Sequence, residues 1–214
     1  MTENERRYVQ KVRAASVEVT KRRILDAATD LLSREPAQGI NVDKIAREAG
    51  VARSTVYVAF ESRTGLFQAL ARDFLDEQGF DRLVAAVRQP DAREALIGSL
   101  REGTRLYAGG RDLGRALFSL SLLDPDAAEA IVVLEHGRAP AMRALAQRLK
   151  DQGYLRRGLG VTEASDVLWV LTSFDTFDQL FTGRGLSRAT VAKRVVSMAE
   201  RGLLAPETAV RSRD

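Results

Sequence analysis

Apolar residues recur every three or four positions along most of this 214-residue chain, and no stretch alternates strictly between apolar and polar residues. The first pattern is typical of amphipathic helices, and the second would indicate strands. The sequence therefore predicts an all-α protein. Beyond residue 60, the predicted helices cover residues 64–78, 91–107, 112–122, 124–152, 162–181 and 187–204.

Several of these predicted helices have recognisable ends. Asp124 precedes Pro125, which is the order expected of an N-cap and the first helical residue. Thr162 and Ser187 also suit N-caps. Pro140 lies inside the predicted helix 124–152, where it predicts a kink or a split because proline lacks a backbone N–H.

The most informative spacing lies in residues 41–60. Small and apolar residues occur there where two short helices that cross through a tight turn would bury them: Ile45, Ala49, Val51, Val56 and Ala59. Ala46 permits a close crossing, and Gly50 stands where the turn favours a positive φ. The pattern predicts a helix-turn-helix.

The outward residues of this motif suit DNA. Asn41 is the expected N-cap of the first helix. The second helix presents guanidinium, hydroxyl, phenol and methyl groups, which bind phosphates and base edges in the major groove. We expect DNA contacts from Asn41, Arg53, Ser54, Thr55 and Tyr57. The alternative is a helical hairpin that does not bind DNA.

Both flanks extend the motif into a compact head. Upstream, Thr20 is the expected N-cap of a helix whose apolar stripe includes Ile24 and Leu32, and Pro36 with Gly39 predicts its end. Downstream, Ser62 is the expected N-cap of a further helix that opens with Leu66, Phe67 and Leu70.

The segments TKRRILDAATDLL and INVDKIAREAGVARSTVYVAFESRTGLFQAL resemble the DNA-binding head of the TetR family of bacterial transcriptional regulators. Three residues depart from the usual pattern of that family. Ala52 replaces a capping Ser, Ala59 replaces a His or Tyr, and Arg63 replaces a phosphate-binding Lys. The resemblance implies that Arg63 holds a DNA phosphate, with a fork of donors in place of a point charge.

The expected organisation has four parts: an N-terminal extension at 1–19, a helix-turn-helix domain at 20–66, a ligand-binding and dimerisation domain at 67–205, and a tail at 206–214. The extension carries basic residues, so it is either an arm that reaches DNA or a solvated, partly helical tail. The net charge of +4 is a mild bias toward DNA.

The predicted helix 162–181 has an apolar arc too wide for the outer helix of a monomer. A second chain would bury the excess, together with the apolar face of the last helix. We therefore expect a homodimer, and the alternative is a central helix in a monomeric bundle. The expected interface residues are Phe174, Phe177, Phe181, Val195 and Met198.

Composition argues against catalysis and metal binding. The chain has no cysteine and a single histidine, His136, so we expect no metal site, no cofactor and no enzyme activity. Without a leader peptide or an apolar run of about 18 residues, the chain is expected to be soluble, cytoplasmic and free of the membrane.

The family resemblance further implies an effector pocket in the C-terminal region. Apolar cavities with a few polar tips are the usual form of small-molecule sites. The candidate lining residues are Phe74, Tyr107, Phe118, His136, Met142 and Trp169. The sequence thus predicts a homodimeric repressor that binds a palindromic operator in double-stranded DNA and is released by a small apolar or amphipathic effector. The alternatives are a helical ligand-binding protein and an interaction module, neither with sequence-specific DNA binding.

Overall fold

A computed structural model describes residues 3–34 and 41–206, and these residues form an all-α fold, as the sequence predicts. The helices are α1 (Glu3–Arg34), α2 (Val42–Glu48), α3 (Arg53–Phe60), α4 (Arg63–Glu77), α5 (Phe80–Val87), α6 (Ala92–Gly109), α7 (Arg111–Ser121), α8 (Pro125–Asp151), α9 (Val161–Leu171), α10 (Phe174–Asp178) and α11 (Arg188–Leu203), with a π-helical turn at Gln179–Gly183. Among the described helices, none has the length and apolar character needed to cross a membrane.

The chain forms two compact units. The first contains residues 1–73 and 115–132, and the second contains residues 74–114 and 133–214. Helices α4, α7 and α8 contribute residues to both units. The boundaries expected from the sequence, 20–66 and 67–205, stay predictions.

Helix α1 begins earlier than the sequence suggested. It includes residues 3–19, which contain no proline or glycine that would break a helix. Thr20 is therefore not an N-cap, because it lies inside α1 and its hydroxyl donates to the backbone oxygen of Ser16 at 2.9 Å. Pro36 and Gly39, the expected end of this helix, lie outside the described residues.

The predicted helix 162–181 is wrong as a single element. It begins at Val161, after Gly160 and not after Thr162 as an N-cap, and it stops at Leu171. Ser173 then starts α10, because its side chain accepts a hydrogen bond from the backbone N–H of Thr176. A local capping motif thus overrides the apolar periodicity.

Two further differences concern helix ends and proline. Helix α5 was not predicted, and it follows Gly79, whose φ of 77° turns the chain. Helix α8 continues through Pro140 without a split. Its predicted N-cap is confirmed, because the carboxylate of Asp124 accepts from the backbone N–H of Ala127 at 3.2 Å.

Aromatic side chains fill part of the interior of the second unit. Tyr107 meets Phe174 edge-on with ring centroids 5.4 Å apart, and Phe177 stacks on Phe181 at 5.0 Å. Phe174, Phe177 and Val195 are only 2%, 3% and 3% exposed. These three side chains are buried within a single protomer and leave little surface for a partner, so their place in a dimer interface stays a prediction.

Tyr107 occupies a partly buried position in this aromatic cluster. Its hydroxyl donates to the backbone oxygen of Thr172 at 3.2 Å. Burial disfavours the phenolate and raises the pKa of Tyr107 to about 12; Arg138 opposes this shift, while Glu135 and Asp175 reinforce it.

We predict that Tyr107 makes the protein less stable at high pH. Above pH 10 the unfolded chain loses the phenol proton more readily than the folded one, so stability falls as the pH rises toward 12. The contribution is up to about 3 kcal/mol. Urea unfolding between pH 9 and pH 12 should show a smaller loss for Tyr107→Phe than for wild type. The exposed Tyr57→Phe is the control, and equal pH dependence of the two variants would contradict the assignment.

Candidate DNA-binding site

The turn between α2 and α3 is held by three local contacts. Asn41 caps α2, with its side-chain oxygen accepting from the backbone N–H of Lys44 at 2.8 Å. Gly50 adopts the predicted positive φ of 63°. Arg23 of α1 donates to the backbone oxygen of Ala49 at 2.5 Å, which satisfies a carbonyl at the end of α2. These contacts fix the angle at which α3 leaves the turn.

The predicted seam is largely buried. Ile45 and Val56 are 0% and 2% exposed, and Ala46 and Ala49 are buried beside them. Val51 and Ala59 are only half-buried. Helix α1 packs against both α2 and α3. From residue 15 onward, its buried side chains are Ile24, Ala27, Ala28 and Leu32. The three helices therefore form a small core that leaves one face of α3 in solvent.

That outward face of α3 carries most of the predicted DNA contacts. Arg53, Ser54 and Tyr57 are exposed, whereas Thr55 is half-buried. Val58 is 85% exposed, so this apolar side chain contributes almost no burial to the stability of the fold. Ala52 stands at the N-cap and gives no side-chain hydrogen bond. The backbone N–H of Thr55 donates to the backbone oxygen of Ala52 at 2.9 Å, but no side chain caps the start of α3, where a phosphate could act as the acceptor.

Arg53 already has an acidic partner in the free protein. Its Nη1 lies 2.9 Å from Oδ2 and 3.1 Å from Oδ1 of Asp43 in α2, and its guanidinium lies 5.7 Å from the ring centroid of Tyr57. Both partners of the ion pair are more than half exposed. Such exposed pairs contribute little to stability because water and salt screen them, so a DNA group can replace Asp43 at little cost.

The junction between α3 and α4 is closely packed. Ser62 caps α4, as predicted, by accepting from the backbone N–H of Gly65 at 2.9 Å. A Cβ on Gly65 would lie 2.1 Å from the backbone oxygen of Phe60, so only glycine fits. Glu61 between them has a φ of 66°, a conformation that non-glycine residues rarely adopt. The junction thus holds α4 directly against the end of α3.

Arg63, the first residue of α4, is bound to carboxylates within the first unit. Its Nη1 lies 3.0 Å from Oδ1 of Asp124 and 2.9 Å from Oδ2 of Asp126, and its Nη2 donates to Oδ2 of Asp124. The guanidinium also lies 5.2 Å from the ring centroid of Phe67. Burial acts to lower the pKa of Arg63, but the two carboxylates outweigh it and raise it. The phosphate contact implied by the family resemblance stays a prediction.

Sequence reasoning missed Asp43, Asp124 and Asp126 as partners of the two arginines. Asp43 lies ten residues from Arg53, and Asp124 lies 61 residues from Arg63. No periodic pattern relates residues at such separations. Val58 was recognisable as an outward residue of the recognition helix, and its exposure adds it to the predicted contacts.

The structure brings three of the six predicted pocket residues together around Thr172 in the second unit. Tyr107 donates to the backbone oxygen of Thr172, and the hydroxyl of Thr172 lies 3.3 Å from the sulfur of Met142. Arg138 donates to Oγ1 of Thr172 at 2.6 Å and lies 4.4 Å from the ring centroid of Trp169. Arg138 was not predicted.

The other three predicted pocket residues lie elsewhere. Phe74 is buried in the second unit against Gly110, where a Cβ would lie 2.2 Å from its ring. His136 is exposed, so it does not line an interior pocket. Phe118 belongs to the first unit. Among the described residues, no group of three or more His, Cys, Asp or Glu side chains has the arrangement of a metal site.

Comparison with known proteins places this site in a family context. The family model described as "Bacterial regulatory proteins, tetR family" matches residues 24–70. The HTH-type transcriptional regulator SrpR of Pseudomonas putida is 35% identical in an 82-residue alignment that covers 35% of this chain and 38% of SrpR. The uncharacterized HTH-type transcriptional regulator TtgW, also of Pseudomonas putida, is 34% identical in an 82-residue alignment that covers 35% of this chain and 61% of TtgW. The chain thus matches less than two thirds of the length of either relative.

Solved structures share this fold over most of the chain. NalD, the secondary repressor of the MexAB-OprM multidrug efflux pump in Pseudomonas aeruginosa, has a TM-score of 0.70 at 23% identity, with 90% of this chain and 99% of NalD covered. The fatty acid degradation regulator FadR from Bacillus halodurans has a TM-score of 0.65 at 20% identity, with 84% of this chain and 93% of FadR covered. At such identities the likeness shows the fold alone.

Proposed function

The chain belongs to the TetR family of bacterial regulatory proteins, and we propose that it is a homodimeric transcriptional repressor that a small apolar or amphipathic effector releases from a palindromic operator. Regulators of this family are DNA-binding proteins without enzymatic activity, and they act as dimers. The observation that carries the proposal is the outward face of α3, where an arginine, a serine, a tyrosine and an exposed valine are held on a buried three-helix core. The cytoplasm is the compartment that this function requires.

We assign α3 to the major groove. Arg53 and Ser54 at its start contact base edges and phosphates, Thr55 adds a hydroxyl, and Tyr57 contacts a phosphate. Asn41 contributes at the start of α2, where its side-chain oxygen is already used in the cap. Val58 adds a methyl-bearing side chain that suits the 5-methyl group of thymine. The role of Arg63 depends on its carboxylate partners.

We predict that Val58 and Arg53 determine which sequence is bound. A random-pool selection gives the operator half-site, and fluorescence anisotropy then compares variants on that duplex. Val58→Ala should lower the preference for one base pair by about 1 kcal/mol, because a thymine methyl contact is lost. Arg53→Ala should reduce the discrimination between bases by about 1 to 3 kcal/mol at one or two positions of the half-site.

The matched control is Val132→Ala, which removes an equally branched side chain, 50% exposed, from α8 in the same unit. It should leave the preference unchanged. If wild type binds the selected duplex no better than competitor DNA, the proposed function is wrong and a ligand-binding protein or an interaction module is the better description.

We propose that the dimer forms through exposed apolar side chains of α9 and α11, which pack against each other within the protomer. Met198 is the predicted interface residue that remains exposed, at 43%, and Val170 of α9 is 57% exposed. Phe181 is half-buried and lies at the edge of the aromatic cluster. Surfaces of this kind are energetically unfavourable in water and are commonly covered by a second copy.

We predict that Met198→Asp converts the dimer into a folded monomer. An unpaired charge in an apolar interface costs several kcal/mol, while the exposed position tolerates aspartate within one protomer. Light scattering coupled to gel filtration at micromolar concentration measures the mass. Val133→Asp is the control on α8, where the valine is 45% exposed. A monomeric wild type, or a Met198→Asp variant that stays dimeric, would contradict this interface.

We propose that the effector binds near Thr172 in the second unit. Tyr107, Met142 and Trp169 offer apolar surface there. Arg138 is paired with Glu135 at 2.5 Å, but its Nε lacks a hydrogen-bond partner among the described residues. Apolar walls with a few polar groups suit an amphipathic molecule.

We predict that effector binding is visible in the fluorescence of Trp169, the single tryptophan of the chain. A panel of amphipathic compounds is screened by thermal shift, since a ligand of the folded state raises the melting temperature. A hit should change the fluorescence and weaken operator binding about 5- to 150-fold, and by linkage the operator should weaken the hit equally. A stabilising hit that leaves operator affinity unchanged at saturation would show that the site is not regulatory.

A further inference from the structure

The guanidinium of Arg63 is engaged on both of its terminal nitrogens. Asp124 receives hydrogen bonds from Nη1 and Nη2, and Asp126 receives a second one from Nη1. This is the bidentate geometry that an arginine also uses for a phosphate. A phosphate cannot occupy the same fork until at least Asp124 moves away.

The ion pair between Arg63 and Asp124 is better shielded from water than the pair between Arg53 and Asp43. The side chain of Arg63 is 26% exposed and that of Asp124 is 12% exposed, whereas Arg53 and Asp43 are 58% and 52% exposed. Water and salt therefore weaken the contact between Arg63 and Asp124 less than the contact between Arg53 and Asp43. Arg53 is easily transferred to DNA, and Arg63 is not.

Asp126 and Glu129 extend the acidic surface along the first turns of α8. Asp126 also accepts a hydrogen bond from the hydroxyl of Thr64 at 3.0 Å, and the same hydroxyl lies 3.3 Å from Glu129. Three carboxylates thus lie around the start of α4, three residues beyond the end of α3. A DNA phosphate that approaches this point meets negative charge as well as an occupied arginine.

From this geometry we propose that Asp124 and Asp126 form an intramolecular clamp that competes with a DNA phosphate for Arg63 and so limits operator affinity. The inference rests on the proposed DNA binding. In the free protein the carboxylates take the position of the phosphate, and Arg63 contributes to DNA binding only where the clamp is opened. Asp124 and Asp126 are therefore residues that position Arg63, and neither contacts DNA.

Asparagine substitutions remove the charge while they keep the shape of the clamp. Asp124 also caps α8, accepting from the backbone N–H groups of Asp126 and Ala127. Asparagine is as good an N-cap as aspartate, so Asp124→Asn preserves α8. Asp126→Asn likewise keeps an acceptor for Thr64. The loss of both charges weakens the hold on Arg63 without removing a side chain.

The experiment is a mutant cycle on the selected operator duplex, with affinity measured by anisotropy across a series of salt concentrations. Each phosphate contact adds about one unit to the slope of log affinity against log salt. The variant Asp124→Asn/Asp126→Asn should bind severalfold more tightly at low salt, with a slope steeper by about one. Arg63→Ala should leave the slope of wild type unchanged and lower that of the double variant by about one.

The control for net charge is Glu18→Gln/Asp30→Asn, which removes two exposed carboxylates of α1 that pair with Lys21 and Arg34; the two acidic side chains are 74% and 70% exposed. Its salt slope should equal that of wild type, and Arg63→Ala should not change it. Circular dichroism and thermal unfolding verify that each variant is folded. If the double variant of the clamp does not fold, Asp124→Asn alone, which neutralises the partner bound to both Nη1 and Nη2, should show the same dependence on Arg63 with a smaller amplitude.

Three results would overturn the clamp. The double variant has the slope of wild type, or its steeper slope persists when Arg63 is replaced by alanine, or Arg63→Ala lowers the slope of wild type by one unit. The last result would mean that Arg63 holds a phosphate despite its carboxylates. A wild-type protein that binds no duplex selectively would instead refute the proposed function. The random-pool selection shows this result before any variant is made.

Discussion

The burial of one face of α3 is the constraint on which the DNA-binding head depends. An eight-residue helix is too short to hold its shape in water alone, so its stability comes from packing. Val56 and Phe60 supply that packing against α1 and α2. Because their positions are fixed, the helical repeat decides which residues face solvent. The residue types on the outward face can therefore vary with the DNA sequence that is bound. The positions that face outward cannot vary, because the buried residues determine them.

Sequence reasoning succeeded where the determining contacts are local. The caps formed by Asn41 and Ser62 join residues three positions apart, and the positive φ of Gly50 follows from the turn itself. The partners of Arg63 lie 61 and 63 positions away, and only the folding of the first unit brings them together. The family pattern gave the position of this arginine but not its partners, since it describes the head and not the turn before α8.

The C-terminal helices show what apolar periodicity cannot predict. An apolar arc on residues 162–181 indicates burial, but periodicity does not say whether the covering surface belongs to the same chain or to a partner. Phe174 and Phe177 are covered by their own protomer, and the restart of the helix at Ser173 is what turns them inward. Here the capping serine marks the break, and the apolar periodicity does not.

Gly65 has a consequence for how this protein can change over evolutionary time. Any side chain there would collide with the backbone of Phe60, so this position in the junction between α3 and α4 accepts only glycine. Val58, largely exposed and in contact with little of its own chain, accepts nearly any. A lineage that carries this head can therefore acquire a new operator by substituting outward residues one at a time, while the geometry with which they are presented is inherited unchanged.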